Sequence, residues 1–148
     1  MSYTDPTTKK KYLFDTTVII DYLKGHSQAK QWVDCALDGM IDAGISPLVD
    51  FELWIGVRDE KEARRHKALL AKFRRLQFQA TIARNAGELY RPYLKNKAVS
   101  IPDAIMAATA DYYSADIVTR NPKHFELLPL EKAKVVSYQV DEGKKKQA

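Results

Sequence analysis

The segment that most constrains the fold is the stretch at residues 12–23. An aromatic and aliphatic run ends at Asp15, two threonines follow, and the next residues are apolar at helical spacing. This pattern predicts a short buried strand that passes directly into a helix, with Asp15 at the carboxyl end of the strand. In open α/β sheets, ligands bind outside the carboxyl ends of the strands. Asp15 is therefore either a helix cap or part of a site.

The alternation of strands and helices continues along the chain. Short apolar runs at residues 41–45, 117–119 and 134–138 predict three further strands. Helices are predicted between them from apolar spacing and from caps such as Ser46 and Ser100, each with a proline one or two residues later. Strands that alternate with helices favour a three-layer α/β/α fold with a mostly parallel central sheet.

Length and charge indicate one domain with charged ends. The 148 residues, 45% of them hydrophobic, are enough for one compact domain with a substantial core. The net charge of +5 lies largely in the ends, because residues 12–140 keep 18 basic and 16 acidic side chains. We therefore predict a flexible tail at residues 1–10, one domain at residues 11–140 and a basic tail at residues 141–148.

Cysteine usage and hydropathy exclude several classes of protein. Cys35 is the sole cysteine, so neither an internal disulfide nor a cysteine-based zinc site can form within the chain. No apolar run approaches the roughly 18 residues of a membrane-spanning helix. The N-terminus also lacks the apolar core of a signal peptide. We expect a cytoplasmic protein that makes no membrane contact.

Three acids and one amide fall where predicted strands end or predicted helices begin. They are Asp15, Glu52, Asp103 and Asn121. In a parallel sheet these junctions share one edge, so we expect the side chains to converge. Close carboxylates repel one another unless a cation neutralises them, and oxygen ligands favour Mg²⁺ or Mn²⁺ over zinc. The arrangement suits metal-assisted phosphodiester hydrolysis by activated water.

Four segments, in chain order, resemble the motifs of PIN-domain proteins. Each motif alone is weak, but together they span nearly all of residues 12–138, and the compact length is similar to that of VapC-type toxins. These toxins are the ribonuclease members of toxin–antitoxin pairs. The segments are FDTTVIID at residues 14–21, SPLVDFELWIG at 46–56, IPDAIMAATA at 101–110 and IVTRNPKHF at 117–125.

The resemblance implies a PIN-like fold and a function. It implies an endoribonuclease that depends on Mg²⁺ or Mn²⁺ and cleaves structured RNA, such as tRNA or rRNA. It also implies a homodimer and a small antitoxin protein that blocks the site. The RNA target, the identity of the antitoxin and the dimer surface stay open.

The resemblance also assigns roles to residues. Asp15 and Asp103 would be the direct metal ligands, and Glu52 would act through water or as a proton acceptor. Asn121 stands where the family often has aspartate, and because its amide has no charge, the choice between one and two metals stays open. The hydroxyls that would line the site belong to Thr16 and Thr119.

Each of these residues also has a simpler interpretation. Asp15 and Asn121 fit plain helix caps, and Asp103 fits a first-turn acid that complements the helix dipole. Glu52, on a helix, fits a solvated surface acid. The neighbouring acids that we interpret as ordinary helix-surface groups are Asp21 and Asp50.

The basic segment at residues 58–75 predicts an exposed amphipathic helix over its second half. Its charges fit contacts with RNA phosphates, a solvated face, or a surface for the dimer partner or the antitoxin. For most of them we favour the solvated face. The aromatic side chains that we predict in the core are Trp32, Trp54 and Phe73.

Two other functions compete with the ribonuclease. A phosphatase could use Asp15 as a covalent nucleophile, but that chemistry needs a second acid two residues later, where Thr17 stands. A PIN-like module that binds RNA or protein, with weak or no catalysis, is supported by Asn121 alone. We favour the metal-dependent endoribonuclease.

Overall fold

The computed structural model describes residues 9–142, which are organised around a five-stranded sheet. The strand order is β3-β2-β1-β4-β5, and all neighbouring strands are parallel. Most of the tails predicted at residues 1–10 and 141–148 lies outside the described residues. The strands are β1 (Lys11–Phe14), β2 (Asp42–Ile45), β3 (Arg74–Arg75), β4 (Asp116–Thr119) and β5 (Val135–Ser137).

Helices connect the parallel strands, as crossovers in such a sheet require. The predicted three-layer α/β/α fold with a parallel sheet is confirmed. Within residues 9–142, no helix combines the length and apolar content that crossing a bilayer needs. The helices are α1 (Thr16–Leu23), α2 (Ser27–Leu37), α3 (Pro47–Ile55), α4 (Glu60–Leu70), α5 (Ala80–Tyr90) and α6 (Ile101–Tyr113), with 3₁₀ turns at Arg91–Tyr93 and Pro122–Phe125.

The core lies on both faces of the central strands. In β1 and β4, side chains on both faces are excluded from water, as expected for a parallel sheet covered on both faces. Phe14 also contacts Phe73 edge to face, with ring centroids 5.9 Å apart. The fully buried residues of β1 and β4 are Leu13, Phe14, Ile117, Val118 and Thr119.

The sequence prediction missed β3. The basic segment holds α4, and its last two arginines form a short edge strand that pairs with β2. Gly44 makes this close approach possible, because a Cβ there would lie 3.0 Å from the carbonyl oxygen of Arg74. Arg75 is not on a solvated face: its guanidinium donates to both carboxylate oxygens of Asp50, at 2.6 and 3.0 Å.

Two further predictions about helix faces were wrong. Trp54 is 42% exposed, because Val49 and Leu53 form the inward face of α3 and Trp54 lies one residue beyond it. Asp21, predicted as a surface acid, is fully buried in α1. Phe73 is in the core as predicted, and Trp32 is half-buried against the rings of Tyr12 and Phe14.

Candidate active site

Asp15 lies at the end of β1 and caps α1. Its backbone N–H continues the pairing with β4 by donating to the carbonyl of Val118, at 3.0 Å. Its carboxylate Oδ1 accepts a hydrogen bond from the N–H of Thr16 at 2.9 Å. Asp15 is therefore a helix cap, as the simpler interpretation predicts. The cap uses one carboxylate oxygen and leaves the other, Oδ2, for contacts at the edge of the sheet.

That second oxygen, Oδ2, is held by two threonine hydroxyls. Thr119 at the end of β4 donates to it at 2.7 Å, and Thr17 donates at 3.3 Å. Thr119 was predicted to line the site, and its side chain is fully buried behind Asp15, where it also accepts the N–H of Asn121 at 3.0 Å. These contacts fix the orientation of the Asp15 carboxylate.

Glu52 projects from α3 toward the same edge. Its Oε1 accepts a hydrogen bond from the hydroxyl of Thr16 at 2.8 Å. Burial raises the pKa of Glu52, and the negative charges of Asp15 and Asp103 raise it further, while the Thr16 hydrogen bond lowers it. Glu52 is thus a partly desolvated acid among like charges, not a solvated surface acid.

Asp103 lies in the first turn of α6, where the hydroxyl of Ser100 caps its backbone N–H at 3.2 Å. Burial raises the pKa of the Asp103 carboxyl, and the charge of Asp15 adds to the effect. Ser100 and His124 act in the opposite direction. His124 Nδ1 is 3.7 Å from Asp103 Oδ2, a distance at which the two groups interact by charge and not by a direct hydrogen bond.

A cavity of about 560 Å³ brings the predicted site residues together. Asn121 begins the 3₁₀ turn after β4, but its side chain makes no capping hydrogen bond, so the plain-cap interpretation does not explain it. The predicted residues that line the cavity are Asp15, Thr16, Glu52, Asp103 and Asn121.

Two lysines and a histidine also line this cavity, and the sequence analysis did not assign them to it. Lys97 precedes α6 and has a left-handed backbone with φ of 53°. Lys123 and His124 follow Asn121 in the fourth motif segment, so their position beside that residue was the available signal. The cavity therefore combines carboxylates that can bind a cation with side chains that can bind a phosphate.

The residues present fit a hard divalent cation. Within residues 9–142, no three His, Cys, Asp or Glu side chains form a ready-made cation site. Mg²⁺ does not require one, because it keeps several waters and is usually bound through one or two carboxylates plus substrate phosphate. Asp15 and Asp103 supply that number. Burial raises the pKa values of Glu52 and Asp103 and the charge of Asp15 raises them further, and a bound cation would relieve this repulsion.

The chain is similar in sequence to known proteins. The profile of the PIN domain matches residues 12–129. Ribonuclease VapC19 of Mycobacterium tuberculosis is 34% identical over 121 residues, covering 79% of this chain and 94% of that protein. Ribonuclease VapC10 of the same species is 35% identical over 117 residues, covering 78% and 86%.

Solved structures have a similar fold. A toxin–antitoxin complex from Klebsiella pneumoniae matches with a TM-score of 0.65 and 28% identity, covering 82% of this chain and 94% of that chain. DNA-bound VapBC from Salmonella typhimurium matches in fold, with a TM-score of 0.72 and 18% identity, covering 86% and 98%. The chain belongs to the PIN domain family.

Proposed function

We propose that this protein is a divalent-metal-dependent endoribonuclease and the toxin of a type II toxin–antitoxin pair. The observation that carries the proposal is the convergence of Asp15, Glu52 and Asp103 on one cavity. The similarity to ribonucleases VapC19 and VapC10, at 34% and 35% identity, supports the reaction class. The proposed substrate is structured RNA in the cytoplasm, such as tRNA or rRNA.

In this proposal Asp15 and Asp103 hold Mg²⁺ or Mn²⁺. The bound metal would polarise the phosphate and lower the pKa of a coordinated water. Thr17 and Thr119 keep the Asp15 carboxylate in place through their hydrogen bonds to Oδ2. Asn121 offers a neutral amide at the same cavity, so it adds polar contacts without adding charge.

Glu52 is the proposed proton acceptor. Burial raises the pKa of Glu52 above that of an ordinary glutamate, so its carboxylate is a stronger base. A stronger base accepts a proton from water more readily. The hydroxyl of Thr16 holds one of its oxygens at 2.8 Å and leaves the other for this role. The attacking water would lose its proton to Glu52 as its oxygen bonds to phosphorus, while the P–O bond to the leaving ribose oxygen breaks and that oxygen takes a proton from solvent.

Phosphate recognition is assigned to the cationic residues of the cavity. Lys97, Lys123 and His124 line it together with the acids. The basic segment is a weaker candidate, because several of its arginines have acidic partners. These pairs are Arg58 with Glu62, Arg74 with Asp42 and Arg75 with Asp50.

Two protein contacts complete the proposal. An antitoxin would cover the exposed face of α3, where Phe51, Trp54 and Ile55 are 63, 42 and 70% exposed beside Glu52. The match to a toxin–antitoxin complex from Klebsiella pneumoniae supports this partner. A second copy of the chain would bury the apolar groove flanked by Phe78 and Ile101, which are 49 and 56% exposed.

The test is cleavage of a panel of structured RNAs with Mg²⁺, Mn²⁺ or EDTA, comparing the wild type with Asp103→Asn. We expect metal-dependent cutting by the wild type and a loss of at least about 100-fold in the variant. Equal cutting by both proteins would contradict the assignment of the site. RNA binding without cutting would favour the binding module that the neutral Asn121 allows.

A further inference from the structure

Asp21 is a buried acid that the proposed chemistry does not use. It lies in α1 and is fully excluded from solvent. Its Oδ2 accepts a hydrogen bond from the hydroxyl of Tyr138 at 2.6 Å, and its Oδ1 is 3.3 Å from Nη1 of Arg120. The Arg120 contact is an ion pair without hydrogen-bond alignment, because Oδ1 has no hydrogen-bond partner. A carboxylate buried this deeply requires such compensation to stay charged.

Arg120 connects this buried acid to the candidate site. It follows Thr119, which bonds Asp15, and precedes Asn121, which lines the cavity. Its backbone N–H donates to the hydroxyl of Thr17 at 3.2 Å. The same hydroxyl donates to Asp15 Oδ2 at 3.3 Å, and Thr119, next to Arg120 in the chain, donates to the same oxygen, so Arg120 is linked to both hydroxyls that hold Oδ2.

Tyr138 belongs to the C-terminal segment beyond the match to the PIN domain, which ends at residue 129. Its side chain is buried, and it directly follows β5. Burial and the hydrogen bond to Asp21 raise the pKa of Tyr138, so the phenol keeps the proton that it donates.

The residues after Tyr138 hold this segment against α2. The N–H of Gln139 donates to the side chain of Gln28 at 2.9 Å, and the N–H of Asp141 donates to Nδ1 of the buried His26 at 3.1 Å. Ser27 donates its hydroxyl to the Asp141 carboxylate at 2.7 Å. The backbone of Tyr138 is therefore held by β5 on its N-terminal side and by these contacts on its C-terminal side.

We propose that Tyr138, Asp21 and Arg120 form a positioning network that holds the loop after β4 against Asp15. None of the three residues lines the cavity. The C-terminal segment, through one phenol hydroxyl, thus sets the geometry of a site built by the rest of the domain. The inference deepens the proposed function and rests on it for the effect on cleavage. The effect on the loop itself is independent of activity.

The test is Tyr138→Phe in the full chain, with Tyr113→Phe as the matched control. Tyr113 also loses one hydroxyl hydrogen bond, to the carbonyl of Gln77 at 2.9 Å, but it lies at the far end of α6 from Asp103. Amide hydrogen exchange by NMR reports the loop directly. In Tyr138→Phe we expect the amides of Arg120 and Asn121 to exchange at least about tenfold faster, with no change in the control.

Cleavage kinetics separate positioning from stability. In Tyr138→Phe we expect kcat to fall about tenfold with KM within about twofold, because RNA binding is retained and the site geometry is lost. If Tyr138→Phe does not fold, Asp21→Asn replaces it, since this variant keeps an acceptor for Tyr138 and removes the charge that holds Arg120. The same faster exchange and the same fall in kcat are expected.

Each outcome decides the proposal. Unchanged exchange at Arg120 and Asn121 would overturn it, as would a lower Tm with unchanged kcat. If the wild type cleaves no RNA, the proposed function fails, and hydrogen exchange alone decides the network. Faster exchange at the two amides together with the fall in kcat supports the positioning role, and where no RNA is cleaved faster exchange relative to the Tyr113→Phe control supports the network.

Discussion

The acids of this domain fall into two groups: some are neutralised by hydrogen bonds or ion pairs within the protein, and others lie beside further acids. Asp111 accepts backbone N–H groups from three consecutive residues, 131–133, at 2.9 Å each, and both carboxylate oxygens of Asp50 accept hydrogen bonds from Nε and Nη2 of Arg75. Glu52 and Asp103 are also partly buried, but they face other acids and their pKa values are raised. The carboxylates of Asp111 and Asp50 thus have hydrogen-bond donors within the protein, whereas Glu52 and Asp103 face like charges.

The difference shows which acids serve the fold and which serve a ligand. A partly buried carboxylate that the protein leaves among like charges lowers the stability of the folded state unless something else neutralises it. Raised pKa values also arise in structural clusters, so the cavity is the second requirement. Glu52 and Asp103 satisfy both conditions.

The sharpest comparison is between two acids of α3 that lie two residues apart. We expect Glu52→Gln to lower RNA cleavage by about 100-fold and to keep or raise Tm in metal-free buffer, because it removes a repelled charge. Asp50→Asn should keep cleavage and lower the free energy of unfolding by about 1 kcal/mol, because its pair with Arg75 is partly exposed. Cleavage assays and thermal unfolding of both variants provide the measurements. A loss of cleavage in Asp50→Asn with cleavage retained in Glu52→Gln would contradict the distinction between the two groups.

Stability should depend on pH through the cavity acids. Because the pKa values of Glu52 and Asp103 are raised in the fold, protonation stabilises the folded state. That stabilisation is fully present below the ordinary carboxyl pKa values and is lost as the pH rises through the raised values. In metal-free buffer, the Tm of the wild type relative to the Glu52→Gln, Asp103→Asn double variant should rise as the pH falls from about 7 to about 4.

A bound metal ion should stabilise the folded state in the same way as protonation of Glu52 and Asp103. We expect Mg²⁺ to raise the Tm of the wild type near neutral pH and to have a smaller effect at acidic pH, where protons compete with the metal for the carboxylates. Calorimetric or fluorescence-monitored unfolding measures both effects. A relative Tm that falls toward pH 4 would contradict the raised pKa values.

The smallest expected effect concerns the cations of the cavity. Lys123→Ala should raise KM for RNA about threefold and weaken the dependence of KM on salt, because one phosphate contact is lost. Arg58→Ala is the matched control, since Arg58 is paired with Glu62 on the surface. Steady-state cleavage at several salt concentrations measures both. An equal effect of the two substitutions would move the RNA path toward the basic segment.

The convergence of the acids could be predicted from the sequence because it follows from local patterns. Asp15 ends an apolar run, Asp103 lies in the first turn of a helix that begins with serine and proline, and Glu52 lies in the second turn of another such helix. Parallel strands bring such junctions to one edge. These features require only neighbouring residues and the expectation of a parallel sheet.

Other features depend on contacts that no local pattern contains. Asp21 lies in an eight-residue helix, and its partner Tyr138 is 117 residues away. A periodicity over two turns does not tell a buried acid from an exposed one when apolar residues surround it. The strand at Arg74–Arg75 has two charged side chains, and it forms because Gly44 lets its backbone approach.

The most direct test of the central claim is where Mn²⁺ binds in the absence of RNA. Paramagnetic broadening of amide NMR signals reports this position. We predict that Mn²⁺ broadens the amides of Thr16 and Asp103 most strongly, that the amide of Asp111, about 12 Å further along α6, is broadened less, and that Asp103→Asn abolishes the effect. Broadening centred on Asp111, or an unchanged pattern in Asp103→Asn, would contradict the assignment of this cavity as the metal site.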